Sequence, residues 1–336
     1  MRAVVAMSGG VDSAAAALLL REQGFDVQAV TLELCGPSEA TSAAGLCGRI
    51  GIPHHVLDVR KQFEAAVIAP FCAAWQRGLT PNPCVLCNRA IKFGALMDWA
   101  LGRADCFATG HYARVEEQGG HLRLMKALDG KKDQSYVLHA LTAQQLEHIR
   151  LPLGRLTKVE SRAVCAGYGL DFAGRPESQD ICFIPDGNHA GFIEGRTGAP
   201  ALPGDFVLED GTVVGRHRGL LHYTVGQRKG LGLAWAHPLF VLRKERDTNR
   251  VVVGAYAQSL RDTIAVAAVH WIDGPPPGPV AASVRTRYHQ REVPATVTPE
   301  GGGARVRFDA PVPAPAPGQA AVFYAGDCVL GGGTIL

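Results

Sequence analysis

Short apolar runs alternate with helical patterns along the first half of the chain. Mostly apolar residues at 3–7, 27–32, 55–59 and 105–109 predict four strands. The segments between them predict helices over residues 12–23, 39–50, 61–75 and 88–101. Repeated strand–helix–strand units are typical of a parallel sheet with right-handed crossovers. We therefore expect an α/β domain over residues 1–145.

The second half changes from helical to β-rich patterns. Thr142 and Thr157 each precede a helical segment as candidate caps, which predicts a helical extension over residues 146–198. Short strands at 204–207 and 212–214 predict a small β-rich module over residues 199–258. Alternation at 282–288, 293–297, 304–308 and 320–324 predicts a small antiparallel β-barrel over residues 259–336. We expect the proline-rich segment 273–279 to separate the module from these strands.

Composition narrows the class of protein. The chain has 336 residues, of which 47% are hydrophobic, and a net charge of +3, so disorder and membrane spans are disfavoured. The charge is too small for a uniformly basic nucleic-acid protein, so any RNA-binding surface must be local. Residues 211–250 fit such a surface, with eight Lys or Arg against two Asp or Glu. The first residues show no export signal, which predicts a cytoplasmic protein whose nine cysteines are thiols.

The sharpest motif is Ser8-Gly9-Gly10-Val11-Asp12-Ser13, between the first predicted strand and helix. Glycines let the backbone approach phosphate oxygens, and the free N–H groups of a helix N-terminus stabilise anions. Asp12 can hold a magnesium ion. The motif differs from the Walker type, and the alternative is an ordinary strand-to-helix turn.

Two cysteines lie in segments that suggest chemistry. Cys87 follows a proline-stiffened loop, and we expect it at a helix N-terminus, where the thiolate is favoured. Cys182 lies in a segment without clear period, residues 177–184, which predicts a loop or short strand. The other cysteines outside these motifs are expected to be small buried residues. They are Cys35, Cys47, Cys72, Cys106, Cys165 and Cys328.

The hexapeptide resembles the pyrophosphate loop of the ATP pyrophosphatase superfamily, and further motifs narrow the resemblance. They are Ala108-Thr109-Gly110-His111-Tyr112, Lys132-Asp133-Gln134-Ser135-Tyr136, residues 222–232, Arg287-Tyr288, Pro317-Gly318-Gln319 and residues 330–333. With the two cysteine motifs, the chain resembles the bacterial-type tRNA-specific 2-thiouridylase family over essentially its whole length. The resemblance implies a pyrophosphate-loop domain of the adenine nucleotide alpha hydrolase-like kind, followed by the β-rich module and the barrel.

The resemblance also implies roles for individual residues. The residues expected to bind ATP are Ala6, Met7, Ser8, Gly9, Gly10, Val11, Asp12, Ser13, Leu32 and Gly110. Cys87 would be the nucleophile and Cys182 the carrier of a persulfide, with Asp12 holding magnesium. Asn82, Pro83 and Cys84 would approach the target base. The residues expected to touch tRNA are His111, Lys132, Asp133, Gln134, Arg287, Tyr288 and Gln319.

The implied reaction needs these parts because the 2-carbonyl of uracil is a weak electrophile. Adenylation by ATP turns its oxygen into a leaving group, with magnesium and the loop amides balancing the pyrophosphate charge. The persulfide sulfur then attacks directly, or Cys87 attacks the inner sulfur, forms a transient disulfide with Cys182 and frees hydrosulfide. A cysteine desulfurase or a sulfur carrier would supply the sulfur, and a reductant would reset the pair.

The sequence departs from the family where its usual aspartate is Cys84, which creates Cys84-x-x-Cys87. Cys84, Cys87 and Cys182 could therefore ligate an iron–sulfur cluster with one open position. The alternative is a persulfide relay with Cys84 as a spare thiol. Segment 34–46 is also shorter than usual, and Leu32 stands where many members have methionine, which leaves the adenine pocket open in detail.

Two other functions remain open from the residues alone. Another pyrophosphate-loop ligase or amidotransferase would not need Cys87 and Cys182, and an RNA-binding protein with a relic nucleotide fold would not need the intact loop. Strand alternation puts Arg285 and Arg287 on one face, for phosphate contact or base stacking, with a solvated strand face as the alternative for Arg285. We expect a monomer, since tRNA itself spans the modules.

Overall fold

The computed structural model describes residues 1–35, 40–172 and 181–336. The predicted start of the second helix at residue 39 and residues 177–180 of the Cys182 segment lie outside the described residues. Among the described residues, the helices are too short or too polar to cross a membrane.

A five-stranded parallel sheet forms the first half. The strands of this half are β1 (Arg2–Ala6), β2 (Asp26–Glu33), β3 (His54–Asp58), β4 (Cys106–Ala108), β5 (Ala113–Gln118), β6 (His121–Lys126) and β7 (Ile149–Arg150). The sheet has the order β3-β2-β1-β4-β7, and each neighbouring pair is parallel. The four predicted strands are confirmed to within two residues at each end. The added edge strand β7 has two residues, too few to show a period.

Helices cover both faces of this sheet. They are α1 (Val11–Glu22), α2 (Ala40–Ile50), α3 (Arg60–Phe63), α4 (Ala69–Gln76), α5 (Pro83–Cys87), α6 (Met97–Leu101), α7 (Ser135–Leu138), α8 (Ala143–His148), α9 (Lys158–Gly167) and α10 (His189–Thr197). π-helical turns at Glu64–Ile68 and Asn88–Leu96 join α3 to α4 and α5 to α6. Residues 14–18 of α1 are fully buried, as its continuous apolar run predicts. Thr142 and Thr157 cap α8 and α9 as expected.

The central module is a mixed four-stranded sheet. Its strands are β8 (Gly204–Val207), β9 (Val213–His217), β10 (Phe240–Glu245) and β11 (Arg250–Gly254), in the order β10-β11-β8-β9. Val251, Val252 and Val253 of β11 are fully buried. β10 contacts the first half, because Lys244 lies over the indole ring of Trp75 with its Nζ 4.9 Å from the ring centroid.

The last part is a closed antiparallel barrel of six strands. They are β12 (Leu260–Trp271), β13 (Val280–Arg285), β14 (Val293–Glu300), β15 (Gly303–Pro313), β16 (Ala320–Ala325) and β17 (Cys328–Ile335). Pairing of β12 with both β15 and β17 closes the barrel. The predicted fold class, a parallel-sheet domain followed by a β-rich module and an antiparallel barrel, is therefore confirmed.

Two features of the barrel differ from expectation. The proline-rich segment 273–279 joins β12 to β13 inside the barrel, so the expectation that it separates the module from the barrel strands is wrong. The hairpin of β5 and β6, which the sequence pattern did not reveal, extends the barrel sheet because Met125 of β6 pairs with Cys328 of β17. The first and last parts of the chain thus share a sheet.

Candidate active site

The loop of residues 6–13, hereafter the phosphate-binding loop, joins β1 to α1. Gly9 has φ +76°, and an added Cβ would lie 3.3 Å from Ser42 Oγ, so both backbone and space favour glycine. Ser13 Oγ donates to the carbonyl of Gly10 at 3.0 Å and accepts from the Ser8 N–H at 3.2 Å. Gly10 is the N-cap residue of α1, and no side chain there accepts a hydrogen bond from the first turn of the helix. The N–H groups of the first turn are therefore offered to an anion.

Leu32 and Gly110 flank this loop at the same edge of the sheet. Leu32 lies near the carboxyl end of β2 and Gly110 follows β4, and these strands are the two neighbours of β1. A Cβ on Gly110 would lie 2.7 Å from the carbonyl carbon of Asp12 and 2.9 Å from its oxygen. The backbone after β4 therefore packs directly against the start of α1. The structure thus brings together the residues that the sequence assigned to ATP.

Asp12 is held by side chains that sequence reasoning missed. Lys158 Nζ lies 2.7 Å and 2.8 Å from the two carboxylate oxygens, and the Tyr112 hydroxyl donates to Oδ1 at 2.8 Å. Ser161 Oγ lies 2.9 Å from that hydroxyl. Tyr112 stands in a motif quoted above, but Lys158 and Ser161 come from α9, and only the tertiary fold brings them here.

Cys84 and Cys87 both lie on α5, within a segment that differs from expectation. The helix begins at Pro83 because Asn82 caps it, its side chain accepting from the Cys84 N–H at 3.0 Å. The predicted position of Cys87 at a helix N-terminus is therefore wrong, since Cys87 is the last residue of α5. Cys87 is buried, and burial raises its thiol pKa despite the nearby Lys92.

Cys182 lies in a turn that follows the undescribed residues. Its residue is exposed at the surface, yet the pKa of its thiol is raised to about 12, chiefly by loss of contact with water and also by the nearby Cys87, Cys84 and Cys35. Cys35 and Cys87 pack in one apolar cluster with Ile181 and Phe183, the two neighbours of Cys182. We call Cys35, Cys84, Cys87 and Cys182 the thiol cluster.

Sequence reasoning did not assign Cys35 and Lys92 to the surroundings of these thiols. Cys35 was expected to be an inert buried residue, but it is half-buried and influences the pKa of Cys87 and Cys182. Lys92 lowers the thiol pKa of Cys84, Cys87 and Cys182 against the dominant effect of burial. Its position five residues after Cys87 on a helical pattern was the available signal. Of the other expected buried cysteines, Cys47, Cys72, Cys106 and Cys165 are buried and Cys328 is half-buried.

The three candidate iron–sulfur ligands are not arranged as a ligand set. Within residues 1–35, 40–172 and 181–336, His, Cys, Asp and Glu side chains form no group of three placed to hold a metal ion. The geometry therefore gives no support to the cluster hypothesis.

The residues expected to touch tRNA differ in their exposure. Asp133 is buried, and its carboxylate accepts from the Ala127 N–H, the Ser135 hydroxyl and Arg285. His111 is also buried, and burial together with Lys92 holds its pKa well below the usual value. Lys132 is half-buried, and the Gln134 side chain accepts from the Tyr112 N–H at 2.9 Å. Their contact with tRNA stays a prediction.

Arg285 is paired with two carboxylates inside the protein instead of facing RNA or solvent. Its guanidinium lies 3.0 Å from Asp133 and 3.0 Å from Glu292, and over the ring of Tyr324. The expectation of phosphate contact or a solvated face at Arg285 is therefore wrong, because two carboxylates already neutralise this charge.

The loop before α5, in the first half of the chain, is held by the central module and the barrel. Gln319 Nε2 donates to the Thr80 carbonyl at 2.7 Å, and the Thr80 N–H donates to the Pro317 carbonyl at 2.8 Å. Thr80 Oγ1 lies 3.5 Å from Thr224 Oγ1 of the central module. Arg287 Nη2 donates to the nearby Val225 carbonyl at 3.0 Å, and Tyr288 packs edge-on against Tyr136. We call Thr80, Thr224, Arg287 and Gln319 the module junction.

Comparison with known families covers nearly the whole chain. Three family models match: the tRNA methyl transferase HUP domain over residues 1–186, the tRNA methyl transferase PRC-barrel domain over 190–255, and the aminomethyltransferase beta-barrel domain over 261–335. The domain boundaries at 145, 198 and 258 stay predictions.

Curated relatives match at full length. The tRNA-specific 2-thiouridylase MnmA of Syntrophotalea carbinolica is 44% identical over 99% of this chain and 97% of its own. The enzymes of the same name from Rhodospirillum centenum and Desulforudis audaxviator are each 45% identical, covering 100% and 98% of this chain and 91% and 97% of their own. Among solved structures, the crystal structure of a protein described as a predicted subunit of tRNA methyltransferase, from Methanocaldococcus jannaschii, aligns with 49% of this chain and 74% of its own length. The TM-score is 0.34 and the sequence identity is 16%.

Proposed function

The chain belongs to the tRNA-specific 2-thiouridylase family, and on that premise we propose how its residues carry out the reaction. It is an ATP-dependent tRNA-uridine 2-sulfurtransferase. We assign the wobble uridine of tRNA as the target, with 2-thiouridine, AMP and pyrophosphate as the products. Transfer of sulfur from a persulfide on Cys182 replaces the 2-oxygen.

The phosphate-binding loop holds the triphosphate of ATP. The first turn of α1, which no side chain caps, presents N–H groups, and Ser8 and Ser13 add hydroxyl groups. Mg²⁺ is usually bound through one or two carboxylates together with substrate phosphates, and Asp12 is the carboxylate of this loop. The residues therefore fit a magnesium ion that arrives with ATP and neutralises phosphate charge. Leu32 of β2 and Gly110, which follows β4, line the nucleotide pocket.

The contrast between an exposed Cys182 and a buried Cys87 supports this proposal most directly. A protein donor reaches only an exposed thiol, so Cys182 receives the sulfur from a cysteine desulfurase or a sulfur carrier. Cys87 packs within the apolar cluster, where a donor has no access and where it can act only on a neighbouring sulfur. Cys87 lies near enough to Cys182 to raise the pKa of the Cys182 thiol.

The reaction proceeds in two stages. The 2-oxygen of uridine first attacks the α-phosphorus of ATP and displaces pyrophosphate. In the second stage the terminal sulfur of the Cys182 persulfide attacks C2, AMP leaves, and Cys87 cleaves the remaining S–S bond. Alternatively, Cys87 attacks the inner sulfur first and releases hydrosulfide, which then attacks C2. Both routes end with a Cys87–Cys182 disulfide, two protons lost from thiols, and the need for a dithiol reductant.

We propose a relay of thiols rather than an iron–sulfur cluster, since the described His, Cys, Asp and Glu side chains form no group placed to hold a metal ion. Cys84 then acts as a spare thiol beside the target base, together with Asn82 and Pro83. Protein purified anaerobically without iron should therefore keep its full activity. Retention of activity only in iron-loaded protein would favour the cluster.

The remaining parts of the chain serve the RNA substrate. We place tRNA across the basic residues of the central module and the residues around the module junction, with a single copy of the chain acting in the cytoplasm. His111, Lys132, Asp133, Gln134, Arg287, Tyr288 and Gln319 are the proposed RNA-proximal residues. Of these, His111 and Asp133 act from beneath the surface, because both are buried.

The decisive experiment is mass spectrometry of nucleosides from tRNA incubated with the protein, ATP, magnesium, cysteine and a cysteine desulfurase. Wild type should form 2-thiouridine, and Cys87→Ser and Cys182→Ser should form less than about a thousandth as much, since each lacks one required thiol. Cys328→Ser, a half-buried cysteine of the barrel, is the matched control and should behave as wild type.

Exchange of pyrophosphate into ATP should persist in both inactive variants when tRNA is present, because adenylation precedes sulfur transfer. Undiminished 2-thiouridine from Cys87→Ser and Cys182→Ser would contradict the cysteine roles. Cleavage of ATP without any thionucleoside, in wild type, would point to a different substrate.

A further inference from the structure

Lys158 is a basic residue at the nucleotide site to which the sequence motifs assign no role. It is the first residue of α9, and Thr157 fixes that helix start by accepting from the Glu160 N–H at 3.3 Å. The helix lies along α1, where Cys165 Sγ approaches the Val11 carbonyl at 3.5 Å. The Lys158 ammonium is thereby carried to the start of α1, beside the phosphate-binding loop.

The ammonium binds both oxygens of Asp12, at 2.7 Å and 2.8 Å, and its side chain is only 14% exposed. Tyr112 orients the same carboxylate through a hydrogen bond of 2.8 Å. Side chains from α9 and from the segment after β4 thus converge on one residue of the loop. These contacts hold the Lys158 ammonium beside the phosphate-binding loop, within reach of an anion bound there.

The charges of Asp12, Lys158 and the phosphates of ATP indicate what the ion pair does. An isolated Asp12 carboxylate beside the loop would repel the phosphates of ATP, and Lys158 neutralises it. When ATP arrives with a metal ion that binds Asp12, the metal ion displaces the Lys158 ammonium from the carboxylate oxygens. The ammonium then lies beside the phosphate oxygens of ATP.

Resting on the proposed function, we propose that Lys158 is a pyrophosphate-binding residue: it is the counter-ion of Asp12 in the nucleotide-free chain and binds the β and γ phosphates once ATP is present. Its positive charge stabilises the pyrophosphate as it leaves, which assists adenylation of the uridine oxygen. Lys158 thus contacts the part of ATP that AMP lacks.

The test is calorimetric binding of ATP, inorganic pyrophosphate and AMP to the full chain at one saturating magnesium concentration, so that the metal ion that displaces Lys158 from Asp12 is present in every comparison. Lys158→Met should weaken ATP and pyrophosphate by about tenfold to a hundredfold, the range expected for a lost charge-assisted contact. Its AMP affinity should stay within about twofold of wild type. Lys158→Arg should recover most of the loss, and Lys61→Met, an exposed lysine on α3, should change nothing.

A double variant separates direct contact from action through Asp12. Asp12→Asn with Lys158→Met should bind pyrophosphate about tenfold more weakly than Asp12→Asn alone. Equal affinities of these two proteins would overturn the proposal, as would an equal loss of AMP and ATP affinity in Lys158→Met, which would indicate a displaced α9. If wild type binds none of the three ligands, the nucleotide site itself and the proposed function fail together.

Discussion

The phosphate-binding loop and the thiol cluster differ in how much of the chain each one needs. The loop is one continuous segment, closed by hydrogen bonds between Ser8, Gly10 and Ser13 within a single strand-to-helix turn. The thiol cluster joins residues 35, 84–87 and 182, which are far apart in sequence, and the loop before α5 is held by the central module and the barrel.

The two sites also differ in their electrostatic preparation. The loop offers N–H groups, hydroxyls and a paired carboxylate, which suits an anion before any ligand arrives. The thiols are held in their protonated form, because burial raises the pKa of Cys84, Cys87 and Cys182. We infer that the loop is ready for an anion before a ligand arrives, whereas sulfur chemistry at the thiols requires a change of environment when tRNA or the donor binds.

The largest expected effect concerns the reactivity of Cys182. With a pKa of about 12, its thiolate is scarce at pH 8, so alkylation by iodoacetamide should be at least about a hundredfold slower than for an ordinary thiol. Peptide mass spectrometry gives the rate, and the same cysteine in urea-unfolded protein is the control. Equal rates in folded and unfolded protein would remove the contrast between the two sites.

Gly110→Ala tests whether the nucleotide site depends on close backbone packing. The added methyl group would press on backbone atoms of Asp12 and Ser13, which cannot rotate away. We expect ATP affinity to fall by about tenfold or more, measured by calorimetry. Gly130→Ala is the matched control, since a Cβ there meets nothing within 4 Å. Unchanged ATP binding in Gly110→Ala would show that the loop tolerates displacement.

Gln319→Met tests whether the module junction serves the thiols alone. The variant loses the hydrogen bond to the Thr80 carbonyl, worth about 1 kcal/mol, so the thiolation rate should fall about fivefold. ATP affinity should stay the same, because the loop of residues 6–13 makes its own contacts. Gln118→Met, on the exposed end of β5, controls for the substitution itself. An equal loss of ATP affinity would mean that the two sites are not independent.

The last prediction concerns stability rather than a rate or an affinity, at Lys244, which connects the central module to α4. Burial lowers its pKa to about 8, while an unfolded lysine titrates near 10.4, so the unfolded chain binds more protons between those values. The contribution of Lys244 to the free energy of unfolding therefore rises as the pH increases through this window. Urea unfolding at pH 7.5 and 10.5 should show a rise in wild type that exceeds the Lys244→Met value by about 1–2 kcal/mol.

The matched control for this residue is Lys229→Met, an exposed lysine in the same module. It should follow wild type across the same pH range. A Lys244→Met variant with the pH dependence of wild type would show that the Lys244 ammonium stays hydrated.

Elements were predicted correctly from the sequence where the residues that determine them also contact one another along the chain. The strands around residues 2–33 and the loop between them follow from hydrophobic runs and glycines that act on their immediate neighbours. β17 was missed because Gly331, Gly332 and Gly333 weaken its pattern, yet these glycines let it approach the neighbouring backbone. The composition of residues 273–279 is typical of a linker between domains, but here it joins two barrel strands.

The candidate site divides in the same way. Gly9, Asp12 and Ser13 could be assigned from a single motif, because the strand-to-helix turn that places them lies within that motif. Lys158, Cys35 and the burial of Asp133 could not, because each depends on contacts with distant segments. The error at Cys87 has a local cause, since Asn82 starts the helix earlier than the apolar pattern does.

The pairing of Met125 with Cys328 has a consequence for how the protein is made. At a synthesis rate of about 5–20 residues per second, the hairpin of β5 and β6 leaves the ribosome roughly 10–40 s before the strand that completes its sheet. During that interval β6 presents an unpaired edge to other nascent chains. Ribosome-bound chains that stop before β17 should therefore recruit chaperones to this hairpin, even though the phosphate-binding loop upstream has already formed.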